Sequence, residues 1–458
     1  MATAQVQTTF QTTTGLIGDL WTRVADAGRA LSPWKGAAQP SLADLCEALL
    51  SGRGEATGLA MAREILDRYA RLSKAEKRDV FLAGLTRFGV DEAALEAALE
   101  RRRAEGPSAS RALHHACEPR TQELIRRLNL APGGTAALVR MRADLLECMA
   151  EHPELASLDG DFRHLFASWF NRGFLELRAI DWNTPAAILE KIIAYEAVHE
   201  IQGWDDLRRR VAAPDRRLYA FFHPALRDDP LIFVQVALTE AMPDAIAPIL
   251  AESRAPLDPA RARMAVFYSI SNCQAGLRGI SFGSFLIKQV AEDLAREFPG
   301  LRGFATLSPI PGLRDWARAE AARGDAGMLE PAEIEAVARL DALAPDLDAA
   351  AWRAATGDVA ALAARYLVEA RGPRGGAADP VARFHLGNGA RLDRVNPAAD
   401  LSTRGRAASW GAMVNYLYDL DAIEKNHEAY ANGGEVICAP AVRKLSRARP
   451  AARAAAKA

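Results

Sequence analysis

The chain has 458 residues, of which 50% are hydrophobic and 25% are charged. That length exceeds what one ordinary hydrophobic core supports and predicts two or three domains of roughly 150 residues each, while the hydrophobic content excludes wholesale disorder. The 57 basic and 58 acidic residues give a net charge of −1, so no global charge excess favours nucleic acid or an anionic membrane as a partner. The longest apolar runs, such as Leu231–Leu238, are far shorter than the ~20 residues of a membrane span.

The cysteines and the two chain ends predict a cytoplasmic protein. The five cysteines, at positions 46, 117, 148, 273 and 438, are odd in number and scattered, unlike the framework of a small secreted domain. Residues 1–14 carry no basic residue ahead of a hydrophobic stretch, and the first arginine is Arg23, so neither a secretory signal nor a mitochondrial presequence is expected. The final Ala-Lys-Ala is not a peroxisomal or lumenal signal.

The amino-terminal part of the chain has a helical pattern. Apolar residues recur at helical spacing in segments such as 59–66 and 138–149, and loop signals at 52–54, 106–108 and 131–134 separate the helices. The pattern predicts an all-α helical bundle over residues 1–180, without an internal repeat.

After Trp182 the sequence takes on strand character. Runs rich in β-branched and aromatic residues predict buried strands over 231–238, 264–271 and 303–308. An amphipathic helix is predicted over Phe285–Phe298. The stretch 264–308 is therefore expected to form one βαβ-like unit.

The remaining sequence completes a second domain, predicted over 181–442. Ala-rich helices from Pro311 to Val368 predict a helical insertion over about 313–370. Further strands are predicted over Val381–Leu386, Arg391–Val395 and Met413–Leu417. Residues 443–458 carry six basic side chains and no acidic one, which predicts a solvated, partly disordered tail, with a binding arm as the alternative.

A glycine-bearing segment from Gln274 to Ser284 lies between a predicted strand and a helix. Glycine lets the backbone turn tightly and approach a ligand, and the start of the following helix offers unpaired N–H groups to a phosphate. The spacing differs from the nucleotide P-loop and from the dinucleotide fingerprint. It resembles the pyrophosphate loop of the GNAT-type (acyl-CoA N-acyltransferase-like) fold, although a plain strand-to-helix turn is equally consistent with this segment alone.

Two single residues are candidates for catalysis. Ser308 ends a predicted strand and precedes Pro309 and Pro311, which enforce an extended exit at the strand end where open α/β sheets bind ligands. His385 is expected in a strand just before an Asn388-Gly389 hairpin turn. An ordinary strand end and a structural histidine are the respective alternatives.

Polar residues that crowd the downstream strand-like segments predict a buried network lining a site, or else an exposed sheet face. These residues are Asn388, Arg394, Asn396, Arg404, Asn415 and Tyr416. Cys148 with His152, like the His114-His115-Ala-Cys117 group, lacks the further ligands that a metal site needs. No nucleophile-elbow or biotin-attachment motif is present, and we expect neither a metal nor another cofactor.

Several separated motifs, taken in order, resemble the malonyl-CoA decarboxylase family over about residues 180–440. The motifs are Ser269-Ile-Ser271, Gly276-Leu-Arg-Gly279, Gly283-Ser-Phe-Leu-Ile-Lys288, Leu307-Ser-Pro-Ile-Pro-Gly312, Phe384-His-Leu-Gly-Asn-Gly-Ala390 and Met413-Val-Asn-Tyr416. Upstream matches are Glu196-Ala-Val-His199, Trp204, Arg209-Arg-Val211, Pro230-Leu231 and Val236-Ala-Leu-Thr239. The helical half matches in position and length more than in motif.

The resemblance implies an α+β protein with an N-terminal helical bundle used in homo-oligomerisation, as a dimer or tetramer, and a GNAT-type α/β domain. It implies a carboxy-lyase that converts malonyl-CoA to acetyl-CoA and carbon dioxide, with Ser308 and His385 at the active centre. The malonyl-CoA-binding stretch falls on Arg278, Gly279, Ile280, Ser281, Phe282, Gly283 and Ser284. The chain is similar to a bacterial cytoplasmic version of the family, and its cysteines give no basis for an intersubunit disulfide.

The chemistry of such a reaction suits these residue types. Loss of carbon dioxide leaves an enolate, so negative charge on the thioester oxygen must be stabilised and C2 must then be protonated. A histidine with the ordinary pKa of about 6.5 delivers a proton near neutral pH. We hypothesise that His385 is this acid and that Ser308 binds the malonyl carboxylate or orients His385. A GNAT-type N-acyltransferase is the alternative function, and a silent CoA-binding scaffold, which would need neither residue, is another.

Overall fold

The computed structural model describes residues 40–447 except 53, 281, 283–285, 345–346 and 374. These residues form two compact units. The first contains the described residues up to Glu176 together with Phe222–Asp229 and Gln274–Phe282, and the second contains the rest. The sequence-based prediction places both internal segments in the domain over 181–442. Each segment follows a strand of the sheet but packs with helices that are remote in sequence. Local periodicity therefore does not reveal that these segments belong to the first unit.

The first unit consists of helices, several of which bury an apolar stripe. Their stripes include Leu59, Ile65, Leu138 and Leu145, all of which are buried. The helices are α1 Leu42–Leu50, α2 Glu55–Ala70, α3 Lys74–Asp79 with a π-helical continuation Val80–Leu85, α4 Glu92–Glu105, α5 Ser110–Ala116, α6 Arg120–Asn129, α7 Gly134–Cys148 and α8 Ala156–Trp169.

A sheet of eight strands organises the second unit. The strands are β1 Glu176–Ile180, β2 Arg216–Phe222, β3 Ile232–Thr239, β4 Met264–Asn272, β5 Gly303–Thr306, β6 Ser308–Pro309, β7 Arg391–Asn396 and β8 Met413–Tyr418. Their order in the sheet is β1-β2-β3-β4-β5-β8-β6, and β7 also pairs with β8. The α+β architecture predicted from the sequence, with a helical amino-terminal region and a sheet domain, is confirmed.

The predicted βαβ unit is present, and it sets the position of Ser308. Strands β4 and β5 are parallel, with Phe267 opposite Thr306, and the helix between them is α12, Leu286–Glu297. Strand β5 also pairs with β8 in antiparallel register, and after Thr306 the chain keeps this neighbour, because Ser308 pairs with Val414 of β8. Ser308 therefore lies just beyond the end of the pairing between β4 and β5, on a segment that β8 still pairs with.

Further helices precede, separate and follow the strands along the chain. They are α9 Ala186–Tyr195, α10 Trp204–Val211, α11 Ala247–Leu250, α13 Leu313–Ala322, α14 Pro331–Asp341, α15 Ala349–Ala355, α16 Val359–Glu369, α17 Pro380–Gly387, α18 Thr403–Ser409, α19 Ile423–Gly433 and α20 Pro440–Arg447. Helices α13 to α16 occupy the segment that the sequence predicts to be a helical insertion.

The strand predicted over Val381–Leu386 is wrong, because this segment is helix α17. Asp379 caps the helix through a hydrogen bond that its Oδ1 accepts from the N–H of Ala382, at 2.8 Å. Proline at the first helical position also favours a helix start. The Asn388-Gly389 pair ends this helix instead of forming a hairpin, with Gly389 at a φ of +80°.

The carboxyl-terminal tail also differs from its prediction. Residues expected to be disordered from position 443 onward continue in α20 as far as Arg447, and α20 packs against α16. Val442 and Ser446 are buried on one side of α20, so this short helix is held by packing despite its basic residues. Residues 448–458 lie outside the described residues.

Replacement of Gly389 by alanine should destabilise the protein, because the residue has a left-handed conformation and an added Cβ would lie 2.2 Å from the carbonyl oxygen of Ile423. We expect Gly389→Ala to lower the free energy of unfolding by about 2 kcal/mol or more in denaturant titrations. Gly387→Ala is the matched control: no atom lies within 4 Å of its added Cβ, and alanine favours a helix by about 1 kcal/mol. Equal effects of the two substitutions would contradict the prediction.

Candidate active site

Ser308 and His385 are in direct contact. The Oγ of Ser308 lies 3.1 Å from Nε2 of His385 and donates a hydrogen bond of 2.8 Å to Oγ1 of Thr306. All three side chains are buried. Strand β6 presents the serine and helix α17 presents the histidine, so residues 77 positions apart in sequence meet at one point.

Two tyrosines of β8 complete the surroundings of His385. The hydroxyl of Tyr418 lies 2.8 Å from Nδ1, and the ring of Tyr416 stacks on the imidazole with centroids 4.6 Å apart. Both tyrosines are buried, and burial raises the pKa of each well above the usual value. Their hydroxyls are therefore neutral near pH 7, and Tyr418 has a hydrogen to donate.

The imidazole is neutral as well. Burial lowers the pKa of His385 to about 3, because an enclosed imidazolium loses its hydration. Ser308 donates its only hydrogen to Thr306, so the serine accepts from Nε2, and Nδ1 accepts from Tyr418. This arrangement places the single ring hydrogen on Nε2, next to Ser308.

A second polar network reaches the same strand end. Asn415 accepts hydrogen bonds on Oδ1 from Arg394, at 3.1 Å, and from Asn396, at 2.7 Å. The Nδ2 of Asn415 donates to the carbonyl oxygen of Thr306 at 2.8 Å. The side chain of Thr306 contacts Ser308, so this residue connects the network to the serine–histidine pair.

The other residues predicted for the network have separate roles. Asn388 caps α17 by donating from Nδ2 to the carbonyl oxygen of Phe384 at 2.7 Å. Arg404 is exposed on α18 and donates to the carbonyl oxygen of Ala197. Tyr416 contacts the histidine through its ring, as described above.

The predicted phosphate loop belongs in part to the first unit. Arg278 and Gly279 are exposed, whereas Ile280 and Phe282 are buried. Gly279 has a φ of +76°, so the loop uses the freedom of glycine at this turn. Ser281, Gly283 and Ser284 lie outside the described residues.

Three residues of the site were not identified from the sequence. Thr306 and Tyr418 each lie two positions from a residue that was identified, Ser308 and Tyr416, which is the spacing of one strand face. Asp379 is the third. Burial raises the pKa of its carboxyl to about 6, although hydrogen bonds from backbone N–H groups, first of all that of Ala382, act in the opposite direction. The Asp-Pro helix-start signal preceded the residues assigned to a strand.

Searches for metal ligands and membrane spans were negative within the described residues. No group of three or more His, Cys, Asp or Glu side chains has the arrangement of a metal site in this part of the chain. None of the helices so described combines the length and the apolar character that a bilayer crossing requires.

Comparison with known proteins places the chain in a family. Residues 173–456 match the malonyl-CoA decarboxylase C-terminal domain, and residues 88–170 match the malonyl-CoA decarboxylase N-terminal domain. The chain belongs to the malonyl-CoA decarboxylase family. It is therefore an enzyme of the carboxy-lyase class, and the N-acyltransferase alternative is not favoured.

Individual relatives agree over most of the chain. Mitochondrial malonyl-CoA decarboxylase of Rattus norvegicus is 38% identical over 342 residues, which cover 69% of each protein. That of Anser anser anser is 35% identical over 401 residues, covering 80% of this chain and 79% of its own. The crystal structure of malonyl-CoA decarboxylase from Rhodopseudomonas palustris has a TM-score of 0.84 and 53% identity, and the match covers 88% of this chain and 98% of that one.

The neutral state of His385 is measurable by NMR. Ring resonances of this residue, assigned by their loss in His385→Asn, should keep constant chemical shifts from about pH 5 to about pH 8, because burial holds the pKa far below this range. N-acetylhistidine amide in the same sample is the control and should titrate near 6.5. A midpoint near 6.5 for His385 itself would rule out the neutral ring.

Burial raises the pKa of Asp379, whereas it lowers that of His385, and the raised pKa should make the stability of the protein depend on pH. The pKa of Asp379 is about 6 in the folded protein, against an ordinary value of 3.8, so the stabilisation from protonation is present below about pH 4 and is lost as pH rises through about 6. The difference in free energy of unfolding between the native protein and Asp379→Asn should therefore change by about 1–2 kcal/mol between about pH 5 and pH 8, with the native protein relatively weaker at pH 8.

Asp348→Asn is the matched control for that measurement. Asp348 is an exposed N-cap whose Oδ1 accepts from the N–H of Ala351 at 2.7 Å. Asparagine caps helices as well as aspartate does, so neither substitution removes a cap. A pH-independent difference for Asp379→Asn would show that burial does not shift this carboxyl.

Proposed function

We propose that this protein converts malonyl-CoA to acetyl-CoA and carbon dioxide, with Ser308 and His385 at the reacting centre. The observation that carries the proposal is the buried contact of 3.1 Å between Oγ of Ser308 and Nε2 of His385. It occurs inside the segment that matches the malonyl-CoA decarboxylase C-terminal domain. Membership of the family supports malonyl-CoA as the substrate.

The reaction breaks the bond between C2 and the departing carboxylate. The electron pair of this bond delocalises from C2 onto the thioester oxygen as carbon dioxide leaves, and one proton then bonds to C2. Hydrogen-bond donors in a site of low dielectric stabilise the developing charge most effectively. Ser308 supplies such a donor once its hydroxyl turns from Thr306 to the thioester oxygen, and the Nε2–H of His385 supports it by donating to the oxygen of Ser308.

The neutral state of His385 argues against the role hypothesised from the sequence, in which a protonated His385 is the acid for C2. Without a substrate, His385 carries no extra proton near pH 7, since burial lowers its pKa to about 3. Instead, its Nε2–H polarises the Ser308 hydroxyl, and the pair acts as a neutral donor to the enolate. The Ser308 hydroxyl gives one proton to C2, and a proton from solvent restores the hydroxyl, so that His385 stays neutral throughout. Tyr418 holds the ring in the required tautomer through Nδ1.

The same proposal covers cofactors, assembly and location. The reaction as written balances with no metal, biotin or other cofactor. We also propose a homodimer or homotetramer formed through the helical unit, which exposes Leu130. A cytoplasmic location is supported by the five cysteines, all of which are free thiols, whereas the rat and goose relatives are named as mitochondrial.

The decisive test is release of carbon dioxide from malonyl-CoA by the purified chain, with EDTA present and no amine acceptor. Acetyl-CoA should form in equal amount. Ser308→Ala and His385→Asn should each lower kcat by about a hundredfold or more, because each removes a donor that acts in the transition state.

Ser446→Ala is the matched control for the serine variant. Ser446 is buried like Ser308, and its hydroxyl donates to the carbonyl oxygen of Arg443 at 3.1 Å, so its loss should leave kcat unchanged. Normal turnover in folded Ser308→Ala and His385→Asn would overturn the assigned site. Absence of carbon dioxide release by the native chain would overturn the proposed reaction.

A further inference from the structure

The loop formed by residues 274–280 is held against the helices of the first unit by a buried arginine. Arg142, on helix α7, is 1% exposed at its side chain. Its Nη1 donates to the carbonyl oxygen of Gly276 at 2.6 Å and to that of Arg278 at 3.0 Å. Its Nε donates to Oδ1 of Asp159, on helix α8, at 2.8 Å. One guanidinium thus joins two helices to the loop.

We propose that Arg142 is a positioning residue for CoA binding, which it supports by fixing the backbone on either side of Leu277. The inference rests on the proposed function, with malonyl-CoA as substrate, and on the resemblance of this loop to the pyrophosphate loop of the GNAT-type fold. It assigns to the helical half a role in substrate recognition that the sequence did not indicate.

The loop backbone packs directly against helix α7 at Gly276. A Cβ on Gly276 would lie 1.8 Å from the carbonyl oxygen of Val139, far inside any permitted contact. The absence of a side chain therefore brings the loop backbone directly against the helix. The guanidinium then reaches two carbonyl oxygens of this loop with a single nitrogen.

The hydrogen bond from Arg142 fixes the backbone of Arg278, whose side chain is a candidate to bind the anion. The carbonyl of this residue is held by Arg142, while its side chain is exposed. Gly279 follows with a φ of +76°, so the chain turns immediately after the fixed residue. A cationic side chain on a fixed backbone loses less conformational freedom when it binds an anion, and affinity increases accordingly.

A purely structural ion pair would explain the contact with Asp159 but not the contacts with the loop. The two explanations differ in what they predict for Arg142→Lys. Lysine keeps the positive charge beside Asp159, but its single ammonium cannot reproduce the planar fork that reaches a carboxylate and two carbonyls together. Stability is therefore largely retained while the loop loses its donor.

The experiment compares ligands with and without the nucleotide diphosphate. For Arg142→Lys we expect the Kd of CoA, measured by calorimetry, and the KM of malonyl-CoA to rise about tenfold or more. The KM of malonyl-pantetheine, which lacks the diphosphate, and kcat at saturating malonyl-CoA should stay within about twofold. A structural role alone would change the two substrates equally.

Arg365→Lys is the matched control. Arg365 also pairs with a buried carboxylate, Glu333, and donates to a backbone carbonyl, that of Met328, each through Nη1. It lies in the helical insertion, so the same substitution should leave the Kd of CoA unchanged. An equal rise in Kd for both variants would overturn the inference.

A double substitution keeps the test valid if Arg142→Lys folds poorly. Arg142→Met with Asp159→Leu removes both charges together and leaves no unpaired carboxylate, a replacement that buried ion pairs often tolerate. It should raise the Kd of CoA as Arg142→Lys does, and an unchanged Kd would overturn the inference.

The binding experiment also separates this inference from the proposed function, because CoA binding is measured without turnover. If the native chain binds CoA but releases no carbon dioxide, only the proposed function is overturned. If the native chain binds no CoA, this inference is overturned.

Discussion

Both ring nitrogens of His385 are hydrogen-bonded inside the protein, one to Ser308 and one to Tyr418, and the ring is almost wholly removed from solvent. No carboxylate among the described residues is hydrogen-bonded to the ring to compensate an imidazolium for its lost hydration, so the neutral form prevails. The proposed reaction at this centre therefore depends on neutral donors in a medium of low dielectric, where a hydrogen bond to a developing enolate is stronger than it is in water.

The fold assembles this centre from three separate stretches of chain. Strand β8 contributes both tyrosines and pairs with β6 at Ser308, while α17 brings the histidine to the serine. Thr306 is the junction: its hydroxyl accepts from Ser308 and from the N–H of Tyr416, and its carbonyl accepts from Asn415. A change in the asparagine–arginine network is thus transmitted to the serine through one residue, although none of its members touches the histidine ring.

Sequence patterns predicted the parts of the fold that local periodicity controls. Strand β3 is apolar along most of its length, with Gln235 as the exception, because both of its faces are buried, and α12 has one clear apolar stripe. The pattern failed at α17, where eight residues are too few to separate period 2 from period 3.6, and where the Asp-Pro start was a better guide than the Asn-Gly end. Motif resemblance identified Ser308 and His385, but Thr306, Tyr418 and Arg142 act through tertiary contacts that a single sequence does not encode in its spacing.

The short length of α17 makes its two ends important for the chemistry. His385 is two residues from the end of a helix of eight residues, and a slip by one residue would move it by about 1.5 Å and rotate it by about 100°. Either displacement breaks contacts of 2.8 Å and 3.1 Å. Asp379 fixes the start of this helix through a buried carboxyl, and Gly389 fixes its end in a conformation that favours glycine. Burial that keeps His385 neutral also favours the protonated form of Asp379, so one property, exclusion of water, controls both the reactive ring and the cap that positions it.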